Sequence, residues 1–346
     1  MGAAERQGPT RRGVLTGLAG LAAWAAPQAL AQEAPPSRFF RIASGPSGGI
    51  YYPLAGLIAA AISNPTSHRA CEVEAVCGIP GLLAVAQTSS GSIANLHRLL
   101  KGDVESAFCQ ADLARRAAQG TLPSVSGLDG SKLRAIAYLF PEYLHIVVHK
   151  DSSIRTLADL ADHSLALGSF ESGTRIVAEV FLKVADLEDR LSKAPDLSPI
   201  DAAYHLRKGS LDAFLAMAGV PDDSVESLAQ DRAIRLLPFR GQAAARFTEA
   251  QPPFEEAAIL GGIYDSLPVT PTVAVGALWL VADTLEEELV YAITEALWSK
   301  DTEVFLKANG GYRVPRLNAD RALKDIGVPP LHPGAARFYK KSGRIA

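Results

Sequence analysis

Two stretches of this chain are long, extended in character and sparing of charge: Leu133 to Lys150, interrupted by Pro141, and Thr272 to Ala282. Around them, short apolar runs alternate with segments of helical spacing. Strands are expected over Phe39–Ala43, Cys71–Cys77, Ala107–Cys109, Ser164–Gly168 and Leu211–Met217. Helices are expected from Tyr51, over Ser92–Leu100, Ile154–Leu160, Thr174–Ala185 and Ala202–Lys208, from near Asp222, and over Leu285–Lys300. That alternation predicts an α/β fold with mostly parallel sheets. The two long stretches predict strands running from one lobe into another, where a few positions absorb a closing motion. The expected organisation is one lobe from 38–141 plus 262–346 and a second lobe over 142–261. The crossings fall near Pro141-Glu142 and between about Gly241 and Gly262.

The first residues are of another kind. Arg11-Arg12 stands directly before an uncharged apolar run, Val14 to Ala26, and Ala29-Leu30-Ala31 offers small residues at a cleavage site. Residues 1–31 therefore read as a secretory signal, and the paired arginines favour the twin-arginine route. The remainder carries 31 basic and 36 acidic residues, a net charge of −5. An acidic balance argues against nucleic-acid binding, which needs a basic face. No later stretch approaches the roughly 20 apolar residues of a membrane span. The three cysteines, Cys71, Cys77 and Cys109, cannot form a fully paired framework. Cys71 and Cys77, placed in one strand, lie too far apart to bond. The seven scattered histidines show no metal-binding spacing, so neither metal nor cofactor is expected.

Candidate chemistry sits in Gly- and Ser-rich turns that lead from strands into helices. Gly45-Pro46-Ser47-Gly48-Gly49 has the G-x-S-x-G pattern of a nucleophile elbow. Only one mature strand precedes it, however, and no partner Asp or His stands out. A P-loop and a dinucleotide fingerprint fail on spacing. What remains is a sharp turn at a helix start, where free N–H groups and the helix dipole attract an anion. Ser89-Ser90-Gly91-Ser92, Gly168 to Thr174 and Ala218-Gly219-Val220-Pro221 repeat the feature. Ligands of open α/β sheets bind outside the carboxyl ends of the strands, where these turns fall. Arg175 next to one turn reads more readily as a solvated first-turn residue than as a ligand cation. Tyr51, Tyr52, Tyr138, Phe140 and Tyr143 read equally as core or as cleft.

The ordered set of segments resembles the TAXI-type receptors of TRAP transporters, the tripartite ATP-independent periplasmic systems. It comprises R-I-A-S-G-P-S-G-G-I-Y-Y-P-L (41–54), G-I-P-G-L-L-A-V-A-Q-T-S-S-G-S-I-A-N (78–95), F-C-Q-A-D (108–112) and L-R-A-I-A-Y-L-F-P-E (133–142). It continues with E-S-G-T (171–174), L-D-A-F (211–214), G-V-P (219–221) and P-T-V-A-V-G-A-L (271–278). The resemblance implies a periplasmic binding protein of type II architecture, two α/β lobes joined by hinge strands, with no catalysis. It further implies a small carboxylate ligand (dicarboxylate, oxoacid or acidic amino acid) and delivery to TRAP membrane permease subunits. Carried over by motif, Ser47, Gly49, Tyr51, Ser89, Ser90 and Gln110 line the cleft from one lobe, and Ser172, Gly173 and Thr174 from the other. Two departures stand out: Pro46-Ser47 replaces a commoner Thr-Gly, and Ala111 removes a hydroxyl after Gln110. The alternatives are a binding module feeding a sensor kinase, and an exported serine hydrolase using Ser47.

Overall fold

The structure, a computed structural model, describes residues 38–64, 78–311, 315 and 317–345. The expected signal at 1–31 and the expected strand Cys71–Cys77 lie outside the described residues. The strands are β1 (Arg38–Ala43), β2 (Ser63–Asn64), β3 (Ile79–Pro80), β4 (Leu82–Gln87), β5 (Ser106–Gln110), β6 (Leu133–His149), β7 (Leu165–Ala166), β8 (Ala213–Ala218), β9 (Ile234–Leu236), β10 (Glu255–Ile259) and β11 (Thr270–Ala282). The helices are α1 (Tyr51–Ile62), α2 (Ser92–Lys101), α3 (Ala111–Ala118), α4 (Gly173–Val184), α5 (Pro199–Arg207), α6 (Asp223–Gln230), α7 (Gln242–Ala250), α8 (Glu287–Leu297), α9 (Lys300–Asn309) and α10 (Pro333–Lys341).

One sheet carries the fold, in the order β4-β1-β5-β11-β6-β8-β7, with β10 beside β11 and β9 beside β6. The two long strands hold it together. β11 pairs β10 through Thr270 to Ala274 and β5 through Ala277 to Val281, lying along β6 from Ala274 onward. β6 pairs β8 through Tyr143 to Val148 and β9 through Val147 to His149. Each long strand thus belongs to both halves of the molecule. The expectation of mostly parallel pairing is corrected: β11 is antiparallel to β5, β6 and β10, and β6 is antiparallel to β8 and β9. A chain that crosses to a second lobe and returns in the same sheet must run the opposite way on the return. Parallel pairing holds within the flanks, β1 with β4 and β5, and β7 with β8. Pro141 interrupts nothing, because the ladder to β8 begins only at Tyr143, and opposite Pro141 stands Gly276. Its missing N–H therefore costs no bond on the β8 side.

Strands covered on both faces read as unbroken apolar runs. β8 (AFLAMA) and β5 (SAFCQ) are buried at every residue. One face of the sheet carries a continuous core reaching from Leu96 and Cys109 to Leu215 and Phe247. The other face carries two separate cores, one under α1, α8 and α10 around Trp279, the other under α5 and α6 around Phe214. The gap between those two cores is where the fold leaves room.

Two expected helices change form. Ile154–Leu160 is a turn ending in a single 3-10 turn, Ala158–Leu160. The Asp159 carboxylate accepts from the Arg155 and Thr156 amides at 2.9 and 2.8 Å, holding those amides outside a helical ladder. Leu285–Lys300 breaks at Trp298-Ser299, since Ser299 Oγ accepts from Thr302 N at 3.1 Å and starts α9 as its cap.

Candidate functional site

A cavity of about 80 Å³ lies where the two halves meet, outside the carboxyl ends of β1, β5 and β8. At roughly 10–15 Å³ per water, it has room for about six waters or a small solute of similar bulk. The carboxyl ends face it because their strands are anchored from behind. Asn95 Nδ2 donates to Ser44 O and Phe108 O at 2.6 and 2.7 Å, fastening α2 across the ends of β1 and β5.

Six helix starts reach the cavity: Gln110 before α3, Pro199-Ile200 of α5, Asp222 before α6, and a further three, Gly49 to Tyr51 of α1, Ser90 to Ser92 of α2, and Ser172 to Thr174 of α4. None of these last three has an acidic residue in its first turn. The starts of α1 and α2 have no side-chain cap, although at α2 the Ala94 N–H is taken by Glu171 O. At α4 the cap is Ser172, whose Oγ accepts from Arg175 N at 3.1 Å. α6 differs, because Asp222 Oδ1 already accepts from Ser224 N at 3.0 Å and Val225 N at 3.3 Å.

The site is closed across the two halves. Ala94 N of α2 donates to Glu171 O at 3.2 Å, and Gly91 lies against Ser172. Gly91 adopts φ 127°, a conformation that side chains rarely enter. A Cβ built on Gly173 would overlap Gln110 Oε1 and come within 2.6 Å of Gln110 Cδ. With the Gln110 side chain where it stands, only glycine lets the start of α4 settle on the end of β5.

Charge in the cavity is one-sided. Among the described residues lining it there is no arginine, lysine or histidine, but Glu142 and Asp222 both reach it. Tyr51 donates its hydroxyl to Glu142 Oε2 at 2.7 Å, while its ring stacks edge-on against Phe108 and Phe140. Burial pushes the Glu142 carboxyl up to about 8, and the Asp112 carboxyl behind it adds to the rise, while the Tyr51 bond opposes it. Asp112 is itself raised to about 7 by burial, and neither of its oxygens has a hydrogen-bond partner among the described residues. Gln110 Nε2, buried in the cavity wall, is likewise unpartnered.

Behind the second wall, His145 bridges the sheet to α6. Its Nδ1 lies 2.9 Å from Tyr143 O and 3.3 Å from Ala216 O, so that nitrogen carries the proton. Its Nε2, 2.8 Å away, then accepts from Tyr264 OH, which in turn accepts from Asp222 N at 2.9 Å. Burial lowers His145 to about 4, keeping it neutral and the chain intact. Tyr264→Phe should leave His145 Nε2 and Asp222 N unpaired, costing about 2 kcal/mol. A lowered urea midpoint with unchanged slope will register that loss.

Of the residues expected to line a cleft, the cavity gathers Gly49, Tyr51, Ser90, Gln110, Ser172, Gly173 and Thr174. Ser47 lies in a separate cleft beside Pro53, Leu57 and Asn309, with no histidine in its lining. Ser89 supports the turn, accepting from Gly91 N at 3.1 Å and donating to Ser44 O at 3.3 Å. Thr174 Oγ1 is occupied as an acceptor for Met217 N at 3.0 Å. Arg175 pairs with Asp196 at 2.8 Å and Glu179 at 3.2 Å, outside the cavity. Glu142 and Asp222 were legible only as a hinge position and a helix start. A carboxylate inside the apolar run Leu139 to Val148 was the available signal.

The fold is the two-lobed α/β fold of periplasmic binding proteins, with two long strands running through one sheet. The chain belongs to the NMT1-like family, a family of periplasmic solute-binding type, whose model matches residues 42–343. Among solved structures it is similar to PhnD1 from Prochlorococcus marinus in complex with methylphosphonate. That match has a TM-score of 0.51 at 13% identity, over 89% of this chain and 99% of the other. It is also similar to the aliphatic sulphonate binding protein SsuA from Escherichia coli, with TM-score 0.45, 17% identity and 89% and 94% coverage. A TctC solute binding protein from Polaromonas gives TM-score 0.47, 16% identity and 80% and 89% coverage. At these identities the likeness is one of fold. No helix among the described residues is long and apolar enough to cross a membrane.

Proposed function

We propose that this chain is an exported, periplasmic solute receptor of the TAXI type. It closes on one small carboxylate-bearing molecule and delivers it to the membrane permease of a TRAP transporter. The observation that carries this reading is the cavity between the lobes, onto which the acid-free starts of α1, α2 and α4 open from both sides. Such ends hold a carboxylate through N–H groups and dipoles without a dedicated cation. The second lobe is the segment 142–261, with the crossings near Pro141-Glu142 on β6 and between about Gly241 and Gly262. The wide spread of family-defining segments along the chain supports the TAXI assignment over a general binding fold.

A thermal-shift panel of amino acids, dicarboxylates and oxoacids tests the reading. A ligand bound only by the folded state stabilises by about 2.7 kcal/mol at a hundredfold excess over Kd. One compound class should raise the transition by several degrees and reduce the radius of gyration in solution scattering. A flat panel would count against a solute receptor of this chemistry.

A further inference from the structure

The cavity's two walls are chemically unlike. One is made of helix N-termini, together with the unpartnered Nε2 of Gln110, a donor nine-tenths buried and more. The other presents carboxyl groups, with no basic side chain among the described lining residues to neutralise them. Glu142 Oε2 accepts from the Tyr51 hydroxyl. Glu142 is 5 % exposed, so it can ionise only if a cation inside the cavity meets it.

The geometry points to Glu142 as the specificity-determining residue, an acceptor for an ammonium group on the ligand. The solute is then a zwitterion, an amino-acid-like molecule whose carboxylate lies at the helix starts and Gln110. A dicarboxylate or oxoacid would set a second anionic or carbonyl oxygen against the acidic wall. This rests on the solute-receptor reading and narrows its ligand class. The groups facing Glu142 are Tyr51 from α1, Cys109 at the end of β5, Asp112 from α3 and Asp222 across the cavity at the start of α6. The facing residues of β11, Val275 and Gly276, bring no charge.

Burial without a cation keeps Glu142 protonated near neutral pH while the cavity is empty. Docking of an ammonium turns it into a carboxylate, and its proton leaves to solvent. Binding of the amine-bearing ligand therefore tightens as pH rises towards about 8, by at most tenfold per unit, and levels off above. A carboxyl that instead donated its proton to an anionic ligand would give the opposite slope.

Calorimetry on the wild-type protein with matched pairs tests this: each amino acid against its 2-oxo, 2-hydroxy and deaminated counterpart. The expected result is binding at least about thirtyfold tighter for the amine-bearing member, roughly 2 kcal/mol. In buffers of differing ionisation heat, up to one proton should be released per ligand below pH 8. Glu142→Gln keeps the shape and an oxygen for Tyr51, and should bring the pair within about threefold of each other and flatten the pH slope. Counterparts lacking the amine that bind as tightly as amino acids, or affinity that falls as pH rises, would overturn the assignment and leave the receptor reading standing. Failure of both members of every pair to bind would overturn both.

Discussion

Gly173→Val will weaken ligand binding about a hundredfold while leaving the unliganded protein as stable as wild type. In the closed arrangement a Cβ at Gly173 overlaps Gln110 Oε1, crowds Gln110 Cδ at 2.6 Å and meets Ser92 Oγ at 3.2 Å. Gln110 lines the cavity, so its side-chain end can move aside only into the space a ligand would fill. On the proposed closing motion, the clash exists only when the start of α4 rests on the end of β5, and separation of the lobes relieves it. The substitution therefore acts on the closing equilibrium, and apparent affinity falls in proportion to the closed population. A penalty of about 3 kcal/mol on closure weakens binding about a hundredfold. Calorimetry should find Kd raised by that factor or more. The melting temperature without ligand should move by less than about 1 °C, since position 173 is the first helical residue and tolerates a side chain there when open.

Gly334→Val will do the reverse. Gly334, near the start of α10, is pressed against α8: a Cβ there would overlap Glu287 O and come within 2.6 Å of Tyr291 N and 3.1 Å of Val290 Cβ. Backbone of a packed helix cannot swing aside as a side-chain end can, so the two helices must part. They cover the core that holds Trp279, Val290 and Tyr339. Overpacking of this kind costs about 3 kcal/mol. The expected fall in melting temperature is about 6 °C or more, with Kd for the ligand unchanged at temperatures where the protein stays folded. Loss of binding without loss of stability would instead place α10 in the closing motion.

The architecture was readable because its two defining strands are long and apolar on both faces. Leu133 to His149 and Thr270 to Ala282 stand out by composition alone, and the turns after β1, β4 and β7 announce themselves by glycine and serine. Strand direction was not readable, because apolar patterning carries no sign: β11 reads the same whether it runs with β5 or against it. Helix breaks such as Ser299 were hidden in a pattern whose periodicity continues across the cap. In the site, seven of the nine residues carried over by resemblance line the cavity. The acidic wall was missed, since a lone Glu142 within a strand does not reveal which face it takes. Its meaning depends on Tyr51, ninety-one residues earlier, reaching it through the fold.

The most direct measurement is a calorimetric titration of the wild-type protein and Gly173→Val with the best compound from the ligand panel. The expected result is one solute per chain for the wild type and binding weakened at least about a hundredfold in the variant. Equal affinity in the two proteins, with the variant folded, would contradict closure of the lobes on a ligand in this cavity.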